Sequence, residues 1–209
     1  MAQIKMSKKA TSIDMTAMCD VAFLLLTFFI LTATAKVPEP ITVDTPSSTN
    51  KTKLPIDRLV VVTVGGGKEN IFFDLKGREM RKRTLELMGD LHNVKFTEEE
   101  KSQFALMESF GVPIEGLSSL LKMSGSDRNK AGVQVGIPFD SIGNNNQLKD
   151  WIYTSRQANI EAGNQEELAF AIKGDAKLQY PKIKRVMDIF QDQKINTFDL
   201  VTGLRGRDY

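Results

Sequence analysis

The run Met15-Thr-Ala-Met-Cys-Asp20-Val-Ala-Phe-Leu-Leu-Leu-Thr-Phe-Phe-Ile-Leu-Thr-Ala-Thr-Ala35 is the only long apolar stretch of this 209-residue chain. At about 1.5 Å of rise per residue, a helix over these positions extends for roughly 30 Å, the thickness of the hydrocarbon core of a bilayer. The sequence therefore predicts a single transmembrane helix over residues 15–35.

Charges on the two sides of this helix predict its orientation. Three lysines lie within the first ten residues, whereas Lys36, just after the helix, is offset by Glu39 and Asp44. Because positive residues stay on the cytoplasmic side, we expect residues 1–14 in the cytoplasm and the rest of the chain on the other side of the membrane.

A cleaved signal peptide is the alternative interpretation of the same segment. It also has a basic start, an apolar core and small residues, here Ala33-Thr34-Ala35, at its cleavage site. Against it, a signal sequence gains nothing from the carboxyl of Asp20 at the mouth of its apolar core, and its basic region would be long, at about 20 residues. An uncleaved anchor is favoured.

Asp20 is the residue to which we assign the chemistry, because a lone carboxyl in hydrocarbon is expensive and by default marks a functional site. Thr16, Thr27 and Thr34 fall on its stripe of the helix, at spacings of 4 and 7 residues. Their hydroxyls either line a path for protons or bond back to carbonyls of their own helix. A single helix cannot shield Asp20, so partner helices from another subunit or a second copy are expected.

Outside the helix the composition is that of an ordinary globular domain, with 26% charged residues and a net charge of +2. This balance gives no electrostatic case for nucleic acid. The one cysteine, Cys19, lies in the apolar run, and one histidine, His92, is too few for a zinc cluster. The triplet Gly65-Gly66-Gly67 lacks the rest of a phosphate loop. We therefore predict no catalytic residue, no metal, no cofactor and no enzymatic activity.

Residues 36–56 are rich in proline, serine and threonine, which predicts an extended, solvated linker. The domain after it, residues 57–209, begins with a predicted hairpin formed by Arg58–Val64 and Asn70–Asp74. Near its end, Glu167–Lys173 and Asn196–Thr202 are predicted strands that flank an amphipathic helix over Tyr180–Gln193. With a further helix near residues 147–159, we predict a small α+β sheet with helices on one face.

The segment Ile13-Asp14-Met15-Thr16-Ala17-Met18-Cys19-Asp20-Val21 resembles the Ile-Asn-Val-Thr-Pro-x-x-Asp-Val signature that opens the transmembrane helix of the ExbD/TolR family. The Gly174-Asp175 break, Tyr180 and the helix and strand after it resemble that family's periplasmic C-terminal block. The resemblance implies a TolR/ExbD-like fold.

The same resemblance implies that Asp20 carries protons and that Thr16 is the motif threonine. Asp14 stands where asparagine is usual; it either lies at the cytoplasmic end of the proton path or serves as a solvated helix N-cap. Ala17 stands where proline is usual, which leaves the helix start less sharply fixed. Residues 76–145 are an insertion relative to the family. Within it Thr97-Glu-Glu-Glu predicts the start of a helix, and we expect the apolar residues at helical spacing after it to form a small satellite core or a docking surface.

The insertion opens with a basic cluster: Lys76, Arg78, Arg81, Lys82 and Arg83. The simplest interpretation is a solvated face, and contact with anionic lipid heads or cell-wall polymer is the alternative.

Members of this family pair with a pentameric ExbB/TolQ-type membrane protein and use the proton-motive force to move a TonB-like or TolA-like protein. The resemblance therefore implies an ExbD-like subunit of an inner-membrane motor that works as a dimer of two ExbD-like chains. Protons are the coupling ion, and a sheet edge grips a TonB-like energy-transducing protein by strand addition.

Three other functions stay open at this point. One is a TolR-like motor for envelope integrity or motility. Another is a membrane-anchored scaffold or binding module without proton flux, in which Asp20 only fixes helix association by hydrogen bonding. The third is a secreted soluble domain, which requires cleavage after Ala35.

Overall fold

The computed structural model describes residues 15–33, 39–48, 54–66, 70–130, 132–139, 146–164, 166–176 and 178–204. The chain divides into two compact units, residues 1–37 and residues 38–209. The first unit contributes one helix and the second a mixed sheet with helices. In chain order the elements are α1 (Met15–Thr32), β1 (Ser47–Ser48), β2 (Leu59–Gly65), β3 (Asn70–Leu75), α2 (Arg78–His92), α3 (Glu98–Leu106), β4 (Ser109–Phe110), α4 (Ile114–Leu121), α5 (Gly125–Arg128), α6 (Gln147–Glu161), β5 (Ala169–Gly174), α7 (Tyr180–Asp192), β6 (Asp199–Val201) and β7 (Gly203–Leu204).

The helix α1 confirms that the apolar run is helical, and it is long and apolar enough to cross a membrane. It spans about 27 Å at 1.5 Å per residue. The end of the run, at Thr34 and Ala35, lies outside the described residues.

The main sheet has five strands in the order β4-β3-β2-β5-β6. The hairpin of β2 and β3 is antiparallel, as the alternation of its residues predicts, with Val62 opposite Phe73. At its other side β2 runs parallel to β5, and β5 runs parallel to β6. The predicted strand, helix and parallel strand are therefore confirmed, within two or three residues at each boundary.

One face of this sheet carries the hydrophobic core. In register, Val60, Val62 and Val64 of β2 lie beside Phe170 and Ile172 of β5, and all five are buried in one cluster. The same cluster includes apolar residues from α2, α6 and α7, with the single tryptophan, Trp151 of α6, fully buried at its centre. The predicted α+β domain with helices on one face is thus confirmed.

The apolar residues of the segment 76–145 belong to this main core and not to a separate one. Phe104, Phe110, Ile114 and Leu117 are buried in the same cluster as the sheet, and the rings of Phe110 and Trp151 lie 4.8 Å apart. The expectation of a satellite core is therefore wrong. Helical spacing revealed that these residues form a buried face but not that the short strand β4 joins the segment to the edge of the sheet.

Thr97 confirms the predicted start of the helix α3. Its hydroxyl accepts a hydrogen bond from the backbone N–H of Glu100, and the carboxylate of Glu100 accepts one from the N–H of Thr97. This reciprocal capping box satisfies two backbone donors that the helix leaves without partners.

Residues 39–48, which the composition places in a solvated linker, contact the domain. Lys173 of β5 is paired with Glu39 at 2.5 Å, and Val43 packs against Gly65 at the end of β2. Further on, β1 runs parallel to β7. Composition did not predict this contact, because a high content of proline, serine and threonine carries no information on the alternation of the aliphatic residues Ile41 and Val43.

Two glycines give a matched test of the packing. A Cβ on Gly111 would lie 2.4 Å from the ring of Phe72, whereas one on Gly116, exposed on α4, meets nothing within 4 Å. We expect Gly111→Ala to lower the free energy of unfolding by about 1–3 kcal/mol through overpacking. Gly116→Ala is expected to raise it by up to about 1 kcal/mol through helix propensity. Urea unfolding followed by Trp151 fluorescence measures both, and equal effects of the two variants contradict the packing.

Candidate membrane site

The residues assigned to the membrane site lie on one side of α1. At about 100° per residue, Thr16, Asp20 and Thr27 fall within about 40° of one another around the helix axis. Thr32 falls on the opposite side. Asp14 and Thr34, also assigned to the path, lie outside the described residues. The structure thus places three of the five predicted residues on a common stripe, which we call the Asp20 stripe.

The hydroxyl of Thr27 is bonded to its own helix. Its Oγ1 donates to the backbone carbonyl of Leu24 at 2.9 Å, and Thr32 makes the equivalent bond to Phe28 at 2.7 Å. Threonines in apolar helices satisfy their donors in this way. The proton of the Thr27 hydroxyl is therefore engaged, while its oxygen lone pairs stay available to accept a bond.

Distances along the axis show that α1 alone has no continuous chain of polar groups between Asp20 and Thr27. Asp20 and Thr27 are separated by about 10 Å of rise, and Phe23 and Leu24 occupy the stripe between them. A hydrogen bond spans about 3 Å, so protons cannot pass directly between the two side chains. Any path through Asp20 needs polar groups or water supplied from outside α1.

The exposure of the side chains of α1 also indicates that Asp20 needs neighbours from outside this helix. No residue of this helix is buried within the described chain, and its phenylalanine and leucine side chains are about half or more exposed. This one apolar helix fits a single-pass membrane anchor. In such an anchor a carboxyl faces protein or a water-filled cavity and not lipid, so Asp20 needs neighbouring helices.

The basic cluster at the start of α2 is largely neutralised. Lys76 pairs with Asp74, Lys82 with Glu98, and Arg83 with both Glu86 and Glu161, at distances of 2.7–3.1 Å. Arg81 is buried and donates to two backbone carbonyls, those of Leu75 and Ala105. These contacts favour the solvated-face interpretation over contact with an anionic polymer.

Asp74 of β3 is a largely buried carboxyl whose pKa departs from its ordinary value. Burial raises its pKa, and the hydrogen bond and charge of Lys76 oppose that shift. Lys76 and Arg81 lie close to it on the β3 side of the sheet, and one carboxylate oxygen, Oδ1, is buried without a hydrogen bond. We assign Asp74 a structural role, because its carboxylate is paired with Lys76 at the position where β3 meets the edge strand β4.

The remaining polar groups form no metal centre. His92 lies 3.1 Å from Asp150 and joins the end of α2 to α6. Among the described residues, no group of three or more histidine, cysteine, aspartate or glutamate side chains is arranged to hold a metal ion.

Residues 39–48 cover a surface of the sheet domain that the sequence did not predict. It is built from Gly65 and Gly66 at the end of β2, Lys173 of β5 and the short strand β7. Gly65 and Gly66 lie at the turn between the two strands of the predicted hairpin, so the sequence gives them a sufficient role without a docked segment. The alternation of the aliphatic residues Ile41 and Val43 in an otherwise polar linker is the signal in the sequence that could have indicated a docked segment.

Comparison with known proteins identifies the family of the chain. The sequence model of the family described as "Biopolymer transport protein ExbD/TolR" matches residues 6–204, which include the Asp20 stripe and nearly all of the sheet domain. The chain has no significant match among curated proteins or among solved structures.

Proposed function

The chain belongs to the ExbD/TolR family of biopolymer transport proteins, and from this premise we propose that it is the ExbD-like subunit of a proton-driven motor in the bacterial inner membrane. The family's proteins are non-enzymatic and couple energy to transport, together with ExbB/TolQ-type and TonB/TolA-type partners. In this proposal Asp20 takes up and releases the protons, and the force acts on a TonB-like protein that energises transport across the outer membrane.

The observation that carries the proposal is a titratable carboxyl on the polar stripe of an otherwise apolar membrane helix. A low dielectric penalises the charged form of a carboxyl, so an enclosed Asp20 binds a proton and a hydrated Asp20 releases it. Alternate access to the two sides of the membrane then lets protons pass through this one group.

Two copies of α1 inside a pentameric ExbB/TolQ-type ring meet the need for neighbours around Asp20. Protonation alternates between the two Asp20 residues, and the accompanying helix rotation moves the periplasmic domains. Each proton that crosses a potential of 100 mV releases about 2.3 kcal/mol, enough to bias packed helices between two arrangements. Protons are the coupling ion, and no cofactor takes part.

The proposed topology follows the distribution of charge. Lysines precede α1, and the sheet domain follows it, so the N-terminus lies in the cytoplasm and residues 57–209 in the periplasm. This arrangement places the domain where it meets a partner that spans the periplasm.

Asp20→Asn tests proton carriage. Asparagine has nearly the same shape and forms hydrogen bonds but does not titrate, so we expect energised activity to fall to the level of cells without the protein. The measurement is energy-dependent uptake across the outer membrane in the native host, with protein level and assembly with the ExbB/TolQ-type partner checked alongside. Leakage of periplasmic proteins, measured in the same cells, separates a TolR-like role from an ExbD-like one.

Asp20→Glu is the matched control, because it keeps a titratable carboxyl on the stripe and is expected to retain part of the activity. Full activity of Asp20→Asn with normal assembly contradicts proton carriage. It supports instead a membrane-anchored scaffold in which residue 20 only makes a hydrogen bond.

Thr27→Val and Thr32→Val test the stripe itself. Both variants lose a bond from a side chain to a helix carbonyl and keep a β-branched shape, but only Thr27 shares the face of Asp20. We expect Thr27→Val to lower energised uptake by up to about fivefold, the equivalent of about 1 kcal/mol. Thr32→Val is expected to leave it unchanged, and equal effects of the two changes contradict a polar path along the stripe.

A further inference from the structure

Positive charge is concentrated in the first two turns of α7. They contain Lys182, Lys184 and Arg185 and no acidic residue, and the two aspartates of this helix come only in its second half. The helix dipole favours the opposite order, with acids near the N-terminus and cations near the C-terminus. The charges of α7 therefore cost stability, unlike those of α3, which begins with three glutamates.

The exposed cations of α7 contrast with the basic cluster at the start of α2. In α2, Lys82 and Arg83 are paired with glutamates. Lys184 and Arg185 are exposed, and neither forms an ion pair within the part of the chain that the structure describes. Their charge is therefore available to a partner outside the chain.

An exposed tyrosine lies beside these cations. Tyr180, the first residue of α7, is 66% exposed, and Pro181 after it is exposed as well. At about 100° per residue, Tyr180, Pro181, Lys184 and Arg185 fall within about 140° of one another around the helix axis. We call these four residues the basic face of α7. A tyrosine, with its apolar ring and polar hydroxyl, is typical of the boundary between hydrocarbon and water.

The basic face lies at the end of the sheet at which the chain arrives from α1. Gly174 ends β5, and a Cβ on it would lie 3.7 Å from Cδ1 of Ile183 in the first turn of α7. The residue before it, Lys173, is paired with Glu39. The start of α7 and residue 39 are therefore at the same end of β5.

The covalent chain keeps this end of the sheet near any membrane that α1 crosses. The apolar run ends at Ala35, and the four residues from there to Glu39 reach at most about 14 Å when fully extended. This limit holds for every arrangement of the two units of the chain. The headgroup region of a bilayer is itself about 5–8 Å thick, and its charge acts over about a further 8 Å at physiological ionic strength. Lipid headgroups are therefore within reach of the basic face.

We propose that the basic face of α7 docks on the anionic phospholipid headgroups of the membrane that α1 crosses. Lys184 and Arg185 donate hydrogen bonds to headgroup phosphates, and the ring of Tyr180 lies at the boundary with the acyl chains. The inference rests on the membrane anchor of the proposed function but not on proton carriage by Asp20.

The chemistry of the basic face favours lipid over an acidic segment of another protein. Two exposed cations on the outer side of one helix give only a weak attraction to any single partner. The anchor keeps headgroups at a high local concentration, which makes a weak contact effective. An acidic protein segment arrives by diffusion, so it needs more contacts to offset the entropy lost on association.

Fluorescence quenching tests the docking on the full-length chain in lipid nanodiscs. Gln179→Cys, in a Cys19→Ser background, carries a fluorophore at the start of α7, and a spin label on a small fraction of lipid headgroups quenches it on contact. We expect at least about twofold more quenching when one third of the phosphatidylcholine is replaced by phosphatidylglycerol. A fluorophore at Gln191→Cys, exposed near the other end of α7, is the matched control and is expected to differ little between the two lipids.

Three pairs of substitutions separate charge from structure. Lys184→Gln with Arg185→Gln removes both charges and is expected to lower the quenching to its level in phosphatidylcholine alone. Lys184→Arg with Arg185→Lys keeps the charges and is expected to retain most of the quenching. Lys95→Gln with Lys149→Gln, at exposed positions elsewhere on the domain, is the matched control and is expected to behave as wild type. Circular dichroism checks that each variant is folded.

Two outcomes overturn the docking directly: equal quenching in the two lipid compositions, or quenching that survives Lys184→Gln with Arg185→Gln. Binding of the detergent-solubilised chain to isolated cell-wall polymer, lost on the same change and without lipid-dependent quenching, also overturns it and assigns the basic face to that polymer.

The membrane anchor is checked separately, by co-purification of the chain with the nanodiscs. A chain that does not enter nanodiscs overturns the anchor and this inference with it. Asp20→Asn is expected to leave the quenching unchanged, whatever its effect on energised activity. Failure of lipid docking and failure of the proposed proton function are therefore distinguishable.

Discussion

A carboxyl on a helix that is apolar enough to cross a membrane is the constraint from which the rest of the argument about this protein follows. Asp20 lies near the start of a helix that is apolar elsewhere, and nothing in the described chain buries it. A lone ionised side chain is not stable against lipid, so the helix is incomplete without neighbours that supply polar groups or water. The need for partner subunits follows from this one residue. Its suitability for protons follows as well, because a carboxyl that moves between two environments changes its charge most easily by binding or releasing a proton.

The domain that follows α1 shows a second asymmetry, in its sheet. Its helices contribute to a core on one face, where Val60, Val62 and Val64 alternate inwards along β2. Side chains at the alternate positions of β2 and β5 point to the opposite face of the sheet. This face includes Gly65 and Lys173, and residues 39–43 contact it. Residues 39–48 lie between α1 and the sheet along the chain. A force transmitted through the backbone from α1 therefore reaches these residues before it reaches the core.

The sequence predicted those parts of the protein that depend on local patterns. The apolar run, the alternation in β2 and β3 and the amphipathic pattern of α7 each predicted the right element, and the motif around Asp20 indicated the right family. It did not predict contacts between distant segments. The capping residue Thr97 was found, but the union of α3 and α4 with the main core was not, because it depends on the pairing of β4 with β3. Docking of Val43 on Gly65 was missed for the same reason.

The free energy that holds residues 39–48 to the sheet domain is of the same order as the energy that a proton releases on crossing a membrane potential. Coupling between the two is therefore physically reasonable. Residues 39–48 are held to the sheet domain by the short parallel pairing of β1 with β7 and by two further backbone hydrogen bonds, each worth about 0.5–1.5 kcal/mol net. The partly exposed pair of Glu39 and Lys173 adds about 0–1 kcal/mol. Together with the contacts of Ile41 and Val43, the hold amounts to a few kcal/mol. One or two protons that cross 100 mV release about 2–5 kcal/mol. A segment held much more weakly would leave the sheet without energy input, whereas one buried as deeply as the core would leave it only on global unfolding.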